Sequence, residues 1–280
     1  MSDVPEGLVE VLCEARRRHA FPSEMRPLAQ KFAEQVLGVL FPHFAAPPAC
    51  NRESVVEELI EVKEALARLQ RSIALLHAEL PRDLPDRFMA ELAALRAVIL
   101  DDADALFYGD PAAKSVDEVI LTYPGFYATA VYRIAHCLHG LGYPLLPRLL
   151  TEHAHEKTGV DIHPGASIGR RFVIDHGTGV VIGETTVIGN RVKIYQGVTL
   201  GAAVVKKEHS DRKRHPTIED DVVIYAGATI LGGDTVVGHN SVIGGNAWLT
   251  QSIPAFSVVS RRAEVRTRQH EGDDGMDFII

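Results

Sequence analysis

A register of six-residue units in the C-terminal half constrains this chain more than any other feature: each unit starts on an aliphatic residue and usually follows it with a small one. Four units run without a break from Ile182, Ile188, Ile194 and Leu200, and their fifth residues are Thr186, Val192, Val198 and Val204. A second block resumes at Ile218, Ile224 and Ile230 and, after one extra residue, continues at Val237, Ile243 and Leu249. Six residues make one flat side of a triangular prism, three sides make a coil, and the aliphatic residue points inward onto the coil below. Backbone hydrogen bonds then run between coils, so no coil buries its apolar side alone and about three or more must stack. The pattern predicts a parallel β-helix. By itself it is equally compatible with a structural β-helix that carries no active site.

At 280 residues the chain is a little long for one domain, and its periodicity changes near residue 160. The expected architecture is α + β, with an all-α helical domain over 1–160, a β-helix over 161–262 and a flexible tail over 263–280. In the helical part, Ser54 and Glu57 form a capping-box pattern, and Leu59, Val62, Leu66, Leu69, Ile73, Leu76 and Leu80 recur in steps of three and four. A turn at Pro81 to Pro85 leads to a second stripe, Phe88, Leu92, Leu95, Ile99, Ala103 and Leu106, so an antiparallel hairpin packed within the chain is expected rather than an intersubunit coiled coil. Further helices are expected over 126–141 and 144–158.

A net charge of −8 argues against nucleic-acid and anionic-membrane partners. Cys13, Cys50 and Cys137 are odd in number and scattered, which predicts neither a disulfide framework nor a cysteine metal site and suits a reducing cytoplasm. No leader pattern and no apolar run of membrane-spanning length is found, so secretion and membrane insertion are not expected. His136 and His139 stand three apart on a predicted helix without an acidic third ligand, and no metal is assigned to them.

A repeat scaffold carries its chemistry where regularity breaks. Three breaks stand out: Asp161-Ile162-His163-Pro164 at the start of the β-helix, Ile174-Asp175-His176-Gly177-Thr178-Gly179 with two additional residues before the register resumes, and the polar stretch 206–217 containing Arg214-His215-Pro216. Asp161 and His176 fall fifteen positions apart. In an 18-residue coil that spacing brings them near each other, as an Asp orienting a His requires.

These segments, with Val180-Val181-Ile182-Gly183-Glu184-Thr185, Gly197-Val198-Thr199-Leu200-Gly201, Asp110-Pro111-Ala112, Gly125-Phe126-Tyr127-Ala128 and Tyr132-Arg133-Ile134-Ala135-His136, resemble the serine O-acetyltransferases of the hexapeptide-repeat acyltransferase superfamily. The likeness runs from Asp110 to about Arg262 and implies a left-handed β-helix. It implies that His176 is the general base on the serine hydroxyl, that Asp161 holds the other ring nitrogen, and that acetyl-CoA is the donor, with no metal. Asp110 and Asp175 match the carboxylates that receive the serine ammonium, and Arg214 and His215 match the groups facing its carboxylate. Gly201, Ala202, Ala226, Gly244 and Gly245 match positions along the pantetheine arm, between neighbouring subunits of a homotrimer that helical domains can join into a dimer of trimers. The resemblance also implies that Ile280, at the end of an acidic tail, docks into O-acetylserine sulfhydrylase.

Departures place the chain in a divergent branch with a long N-terminal helical region: Gly201-Ala202 replaces a Gly-Gly pair, the loop before Arg214 is longer, an extra residue precedes Val237, and Val242 stands where some relatives carry a basic residue. Three rival readings remain. One is a hexapeptide acetyltransferase acting on another amino acid or an amino sugar, one is a γ-type carbonic anhydrase using His163, His176 and His215 on zinc, and one is a non-catalytic regulatory scaffold.

Overall fold

The fold was analysed in a computed structural model, which describes residues 5–18, 24–45, 51–74, 80–203 and 212–260. Among the described residues seven α-helices precede the β-structure: α1 (Glu6–Arg18), α2 (Met25–Leu40), α3 (Arg52–Ala74), α4 (Leu84–Gly109), α5 (Val116–Thr122), α6 (Pro124–Gly140) and α7 (Leu146–Thr158). The α3 stripe packs inside the chain: Val62, Leu66, Leu69 and Ile73 are buried in one cluster with Phe88, Leu92, Ile99 and Leu106 of α4 and Phe32 and Val36 of α2. Leu59 and Leu80 lie at its margin, and Leu76 is outside the described residues. Gln70 closes the hairpin turn by donating to Pro81 O at 2.8 Å and is held in turn by Tyr143 OH at 3.0 Å. The capping-box expectation at Ser54 is corrected. α3 already begins at Arg52, and Asn51 Oδ1 accepts the Ser54 N–H at 2.8 Å, so the shorter Asx side chain one residue before the helix satisfies the free donor.

From Asp161 to Val259 the chain winds a three-faced prism of parallel two- and three-residue strands, about five coils deep. On the first face Ile162, Ile182, Leu200, Ile230 and Leu249 stack in register; on the second, Ile168, Ile188, Ile218 and Val237; on the third, Ile174, Ile194, Ile224, Ile243 and Val259. All but Leu249 and Val259 are buried, and these two pack against the same core. The repeat therefore starts three units earlier than its unbroken run suggests. Coils differ in length. Asp161 pairs with Val181 twenty residues on, Val181 with Thr199 after eighteen, and Thr199 with Thr229 after thirty, so the first coil is longer than the 18 residues the repeat predicts.

α4 and α6 lie against the top of the prism. Gly125, near the start of α6, sits so close to the third face that a Cβ there would come within 2.0 Å of Ile174 O. About two turns later Tyr132 OH donates to Ala166 O at 2.5 Å. Arg133, buried, donates to both carboxylate oxygens of buried Asp102 on α4 (2.9 and 3.3 Å) and to the carbonyls of Ile168 and Gly169 (2.5 Å each). Asp102 also accepts the Phe172 N–H at 2.9 Å. Removing one member of a buried pair leaves the other charge uncompensated, at about 3–5 kcal/mol. Asp102→Ala is therefore expected to lower unfolding stability by that order, read as a fall in the urea midpoint, with the loss larger than for Asp101→Ala on the exposed neighbour.

Candidate active site

The predicted site residues gather on two different edges of the prism. The edge between the third and first faces carries the acidic set. Backbone pairing places Asp175 at the end of the Val173–Asp175 strand, and His176 follows with φ of 59° and Gly177 with φ of 90°. A non-glycine residue in the left-handed region is uncommon and costs some strain. Here the turn is tied by Gly177 N–H to Asp175 O at 2.7 Å, and it throws the imidazole outward, its side chain 74% exposed within this chain. His176 Nε2 lies 3.9 Å from Asp175 Oδ1, while the other oxygen, Oδ2, pairs with Lys193 Nζ at 2.9 Å. Lys193 also donates to Gly109 O at 2.9 Å, beside Asp110.

Asp110 closes the C-terminus of α4. Its carboxylate accepts Tyr123 OH at 2.6 Å and the Ala112 N–H at 2.8 Å. These bonds, Tyr123 first, hold the carboxyl below its ordinary value, and the same Asp110 bond raises the Tyr123 phenol to about 12. The fields of Lys193 and His176 also reach Asp110, so Asp110, Asp175 and His176 form one local group.

Asp161 is on the same coil as His176 but is not paired with it in this chain. Its carboxylate faces α7, where Arg148 Nη1 lies 3.4 Å away. Arg148 also pairs with Glu152, and Glu152, His155 and Asp161 present ligand atoms within 4.8 Å of one another. The Arg148 guanidinium already supplies the cation between the two carboxylates.

The basic set occupies the edge between the first and second faces. Arg214 pairs with Glu184. His215 is buried against Gly183, where a Cβ would fall 2.1 Å from its Cδ2. Its Nδ1 receives the Thr185 N–H at 3.1 Å and lies 2.9 Å from Thr185 Oγ1, which itself accepts the backbone N–H groups of Arg214 and His215. An Nδ1 that accepts leaves the proton on Nε2. Burial, then the neighbouring Arg214 charge, pushes the imidazole down to about 4, so His215 offers a neutral N–H. Lys213 pins the segment from below, donating to Thr185 O at 2.8 Å and His215 O at 2.6 Å. His163 shares this edge, its pKa lowered mainly by burial, so the three histidines of the zinc reading do not converge within one chain.

The five positions matched to the donor also divide. Ala226, Gly244 and Gly245 lie below His176 on the third–first edge, and Gly245 approaches Ala226 O so closely that a Cβ would stand 3.2 Å from it. Gly201 and Ala202 leave the first face toward Arg214. Ile280 lies outside the described residues, as does most of the 206–217 stretch. Sequence reasoning passed over Tyr123, Thr185 and Lys193. Lys193 had a signal: it is a charged residue in a column whose neighbours above and below are Val173 and Val223.

No family model matches the chain. It is 51% identical over 199 residues to the plasmid serine acetyltransferase of Synechococcus elongatus, covering 69% of this chain and 62% of that protein, and 53% identical over 119 residues to a serine acetyltransferase of Helicobacter pylori, covering 42% and 67%. The chain thus spans somewhat less than two thirds of the Synechococcus relative. Among solved structures, serine acetyltransferase isoform 3 of Entamoeba histolytica in complex with cysteine superposes with a TM-score of 0.75 at 38% identity, covering 86% of this chain and 84% of that one. The Neisseria gonorrhoeae serine acetyltransferase in complex with serine gives 0.60 at 28%, covering 92% and 89%. A helical layer on a hexad-repeat prism is the architecture on which the chain superposes with these solved acetyltransferases. The chain belongs to the serine acetyltransferase family.

The His215 geometry has a pH signature. A histidine held below its unfolded value binds fewer protons folded than unfolded, so its contribution to stability is full above about 6.5 and is lost as pH falls toward 4. Nitrogen-15 NMR should show His215 as the neutral Nε2–H tautomer throughout pH 5 to 8, and its replacement by Gln should flatten the stability profile between pH 6.5 and 4.

Proposed function

We propose that the protein is an acetyl-CoA-dependent serine O-acetyltransferase, a cytoplasmic enzyme that makes O-acetylserine for cysteine biosynthesis. The observation that carries this reading is the opposition of charge: Asp110 and Asp175 beside His176 on one edge, Arg214 and the neutral donor His215 on another. A zwitterionic amino acid with a side-chain hydroxyl fits such a site, whereas a neutral sugar uses neither charge.

Neutral His176 takes the proton from the serine Oγ as that oxygen attacks the thioester carbonyl carbon. The tetrahedral intermediate collapses with cleavage of the C–S bond, and the imidazolium returns the proton to the leaving thiolate, giving O-acetylserine and CoA. Ala226, Gly244 and Gly245 on the His176 edge, and Gly201 and Ala202 on the other, would hold the pantetheine arm by close backbone approach.

The two edges belong to one site only if a second subunit brings them together, which supports a homotrimer in which the His176 edge of one subunit meets the Arg214 edge of its neighbour. Asp161 would act in that assembled site. α1 exposes Leu8, Val9, Val11 and Leu12, an apolar surface suited to joining two trimers. No described helix is long and apolar enough to cross a membrane, and Cys13 and Cys137 are free, in keeping with the proposed compartment. The tail would carry Ile280 into O-acetylserine sulfhydrylase.

The purified protein is expected to release CoA from acetyl-CoA when L-serine is present, and far less with homoserine, threonine or amino sugars. His176→Ala is expected to lower kcat by about 10²–10⁴-fold, the range for loss of a general base, with an unchanged oligomer by light scattering. Release with an amino sugar in place of serine overturns the acceptor assignment, and a folded oligomer silent with every acceptor favours the scaffold reading. Deleting Ile280 should abolish co-elution with O-acetylserine sulfhydrylase while serine turnover persists; retained co-elution refutes the docking assignment.

A further inference from the structure

The acetyltransfer mechanism above needs His176, a donor site and groups for the acceptor's charges. It has no use for Lys193, although that lysine is bound to Asp175 itself. The Lys193–Tyr195 strand lies one coil below Val173–Asp175 in parallel register, Lys193 beside Val173 and Tyr195 beside Asp175. From there the lysine side chain, 18% exposed, reaches diagonally to Asp175 Oδ2 at 2.9 Å and across to Gly109 O at 2.9 Å. Its ammonium lies 4.7 Å from the centre of the Tyr195 ring, which stacks on Tyr225 with centroids 5.0 Å apart. A long, strongly hydrated side chain surrenders much freedom to be held by three partners. The bonds to Asp175 and Tyr195 favour its charged form, against the burial that opposes it.

The consequence is electrostatic. Asp110 and Asp175 alone would present two negative charges to one acceptor ammonium. With Lys193 bound to Asp175, the group presents one net negative charge, divided between Asp110 and the Asp175 oxygen that faces His176.

We propose that Lys193 is a specificity-determining residue of the acceptor site, balancing Asp175 so that the pocket carries the single negative charge that a single ammonium neutralises. The inference rests on the reading of the site as one for an amino-acid acceptor. An ammonium-free hydroxy acid is then rejected by one unpaired charge. Removing Lys193 raises the rejection, and removing Asp175 while keeping Lys193 relieves it.

The test compares L-serine with 3-hydroxypropionate, which keeps the hydroxyl and the carboxylate and lacks the ammonium. The readout is the Ki of 3-hydroxypropionate against serine divided by the KM for serine, measured on the full-length oligomer under saturating acetyl-CoA. Lys193→Met is expected to raise this ratio by about tenfold or more, and Asp175→Asn to lower it by a similar factor, since unit charges a few ångströms apart couple at that level even in a well-screened site. Lys193→Arg should leave it near the wild-type value. The double variant Lys193→Met/Asp175→Asn keeps only Asp110 and should return the ratio to within about threefold of wild type.

A lysine that merely ties α4 to the prism would weaken both ligands alike, leave the ratio unmoved, and make the double variant worse than either single one. That pattern, in a protein whose wild type turns over serine, overturns the Lys193 assignment alone. Absence of serine turnover in the wild type overturns the acceptor reading and this inference with it.

Discussion

The buried Asp102–Arg133 pair is the constraint on which the placement of everything else depends. Two ions removed from water are stable only when each is matched in charge and in hydrogen bonds. Arg133 meets that condition with Asp102 and two carbonyls of the 168–169 turn, and Asp102 with Arg133 and the Phe172 N–H. The pair therefore locks two helices and one prism corner to each other. α4 delivers Asp110 at its C-terminus, and α6 lays Gly125 on Ile174, the residue before Asp175 and His176. A helical layer that slid by one turn over the prism would break three charge-assisted bonds at once and would separate the two carboxylates.

The prism itself leaves little room for chemistry. Its inward positions are filled mostly by stacked Ile, Leu and Val, whose β-branched majority suits short parallel strands, and the polar side chains buried along it are small hydroxyls such as Thr186, Thr235 and Ser241. Polar function is pushed to the edges and to outward positions, where a residue is free of the register. The edges then carry different sets: His176 and Asp175 with Lys193 on one, Arg214 and His215 with Glu184 on the next. That division supports catalysis between subunits over catalysis within one, and it fits the high exposure of His176 in a single chain.

How far the sequence could be read follows from this arrangement. The aliphatic column is visible because every sixth residue obeys the same inward requirement. The helical hairpin is visible because Val62, Leu66, Leu69 and Ile73 must share one face. Ser54 misleads because a capping-box pattern says nothing of Asn51, which is better placed by three residues. The Asp161–His176 spacing does not by itself make a pair within one chain: the first coil has twenty residues, and Asp161 turns toward Arg148 on α7, a helix the repeat does not describe. Lys193 escapes because an outward lysine in a repeat looks like any solvated one. Its place in a column of valines marks it as unusual, and the three-dimensional nearness of Gly109 and Asp175, 84 and 18 residues away in the chain, gives that mark its meaning.

The two edges also differ in what holds them, and that difference bears on how acceptor choice can change. The acidic edge is wired to the helices through Tyr123 and Lys193, so altering it disturbs α4 and the corner that carries His176. The basic edge is wired within the prism, through Thr185 and Lys213, and lies inside the thirty-residue coil between Thr199 and Thr229. Added length in that coil costs little, because loop-closure entropy grows only with the logarithm of length. Changes there can re-aim Arg214 and His215 while leaving His176 in place. On the proposed reading, the carboxylate end of the acceptor is therefore the end whose recognition this fold can vary most cheaply, and the ammonium end is the one it holds fixed.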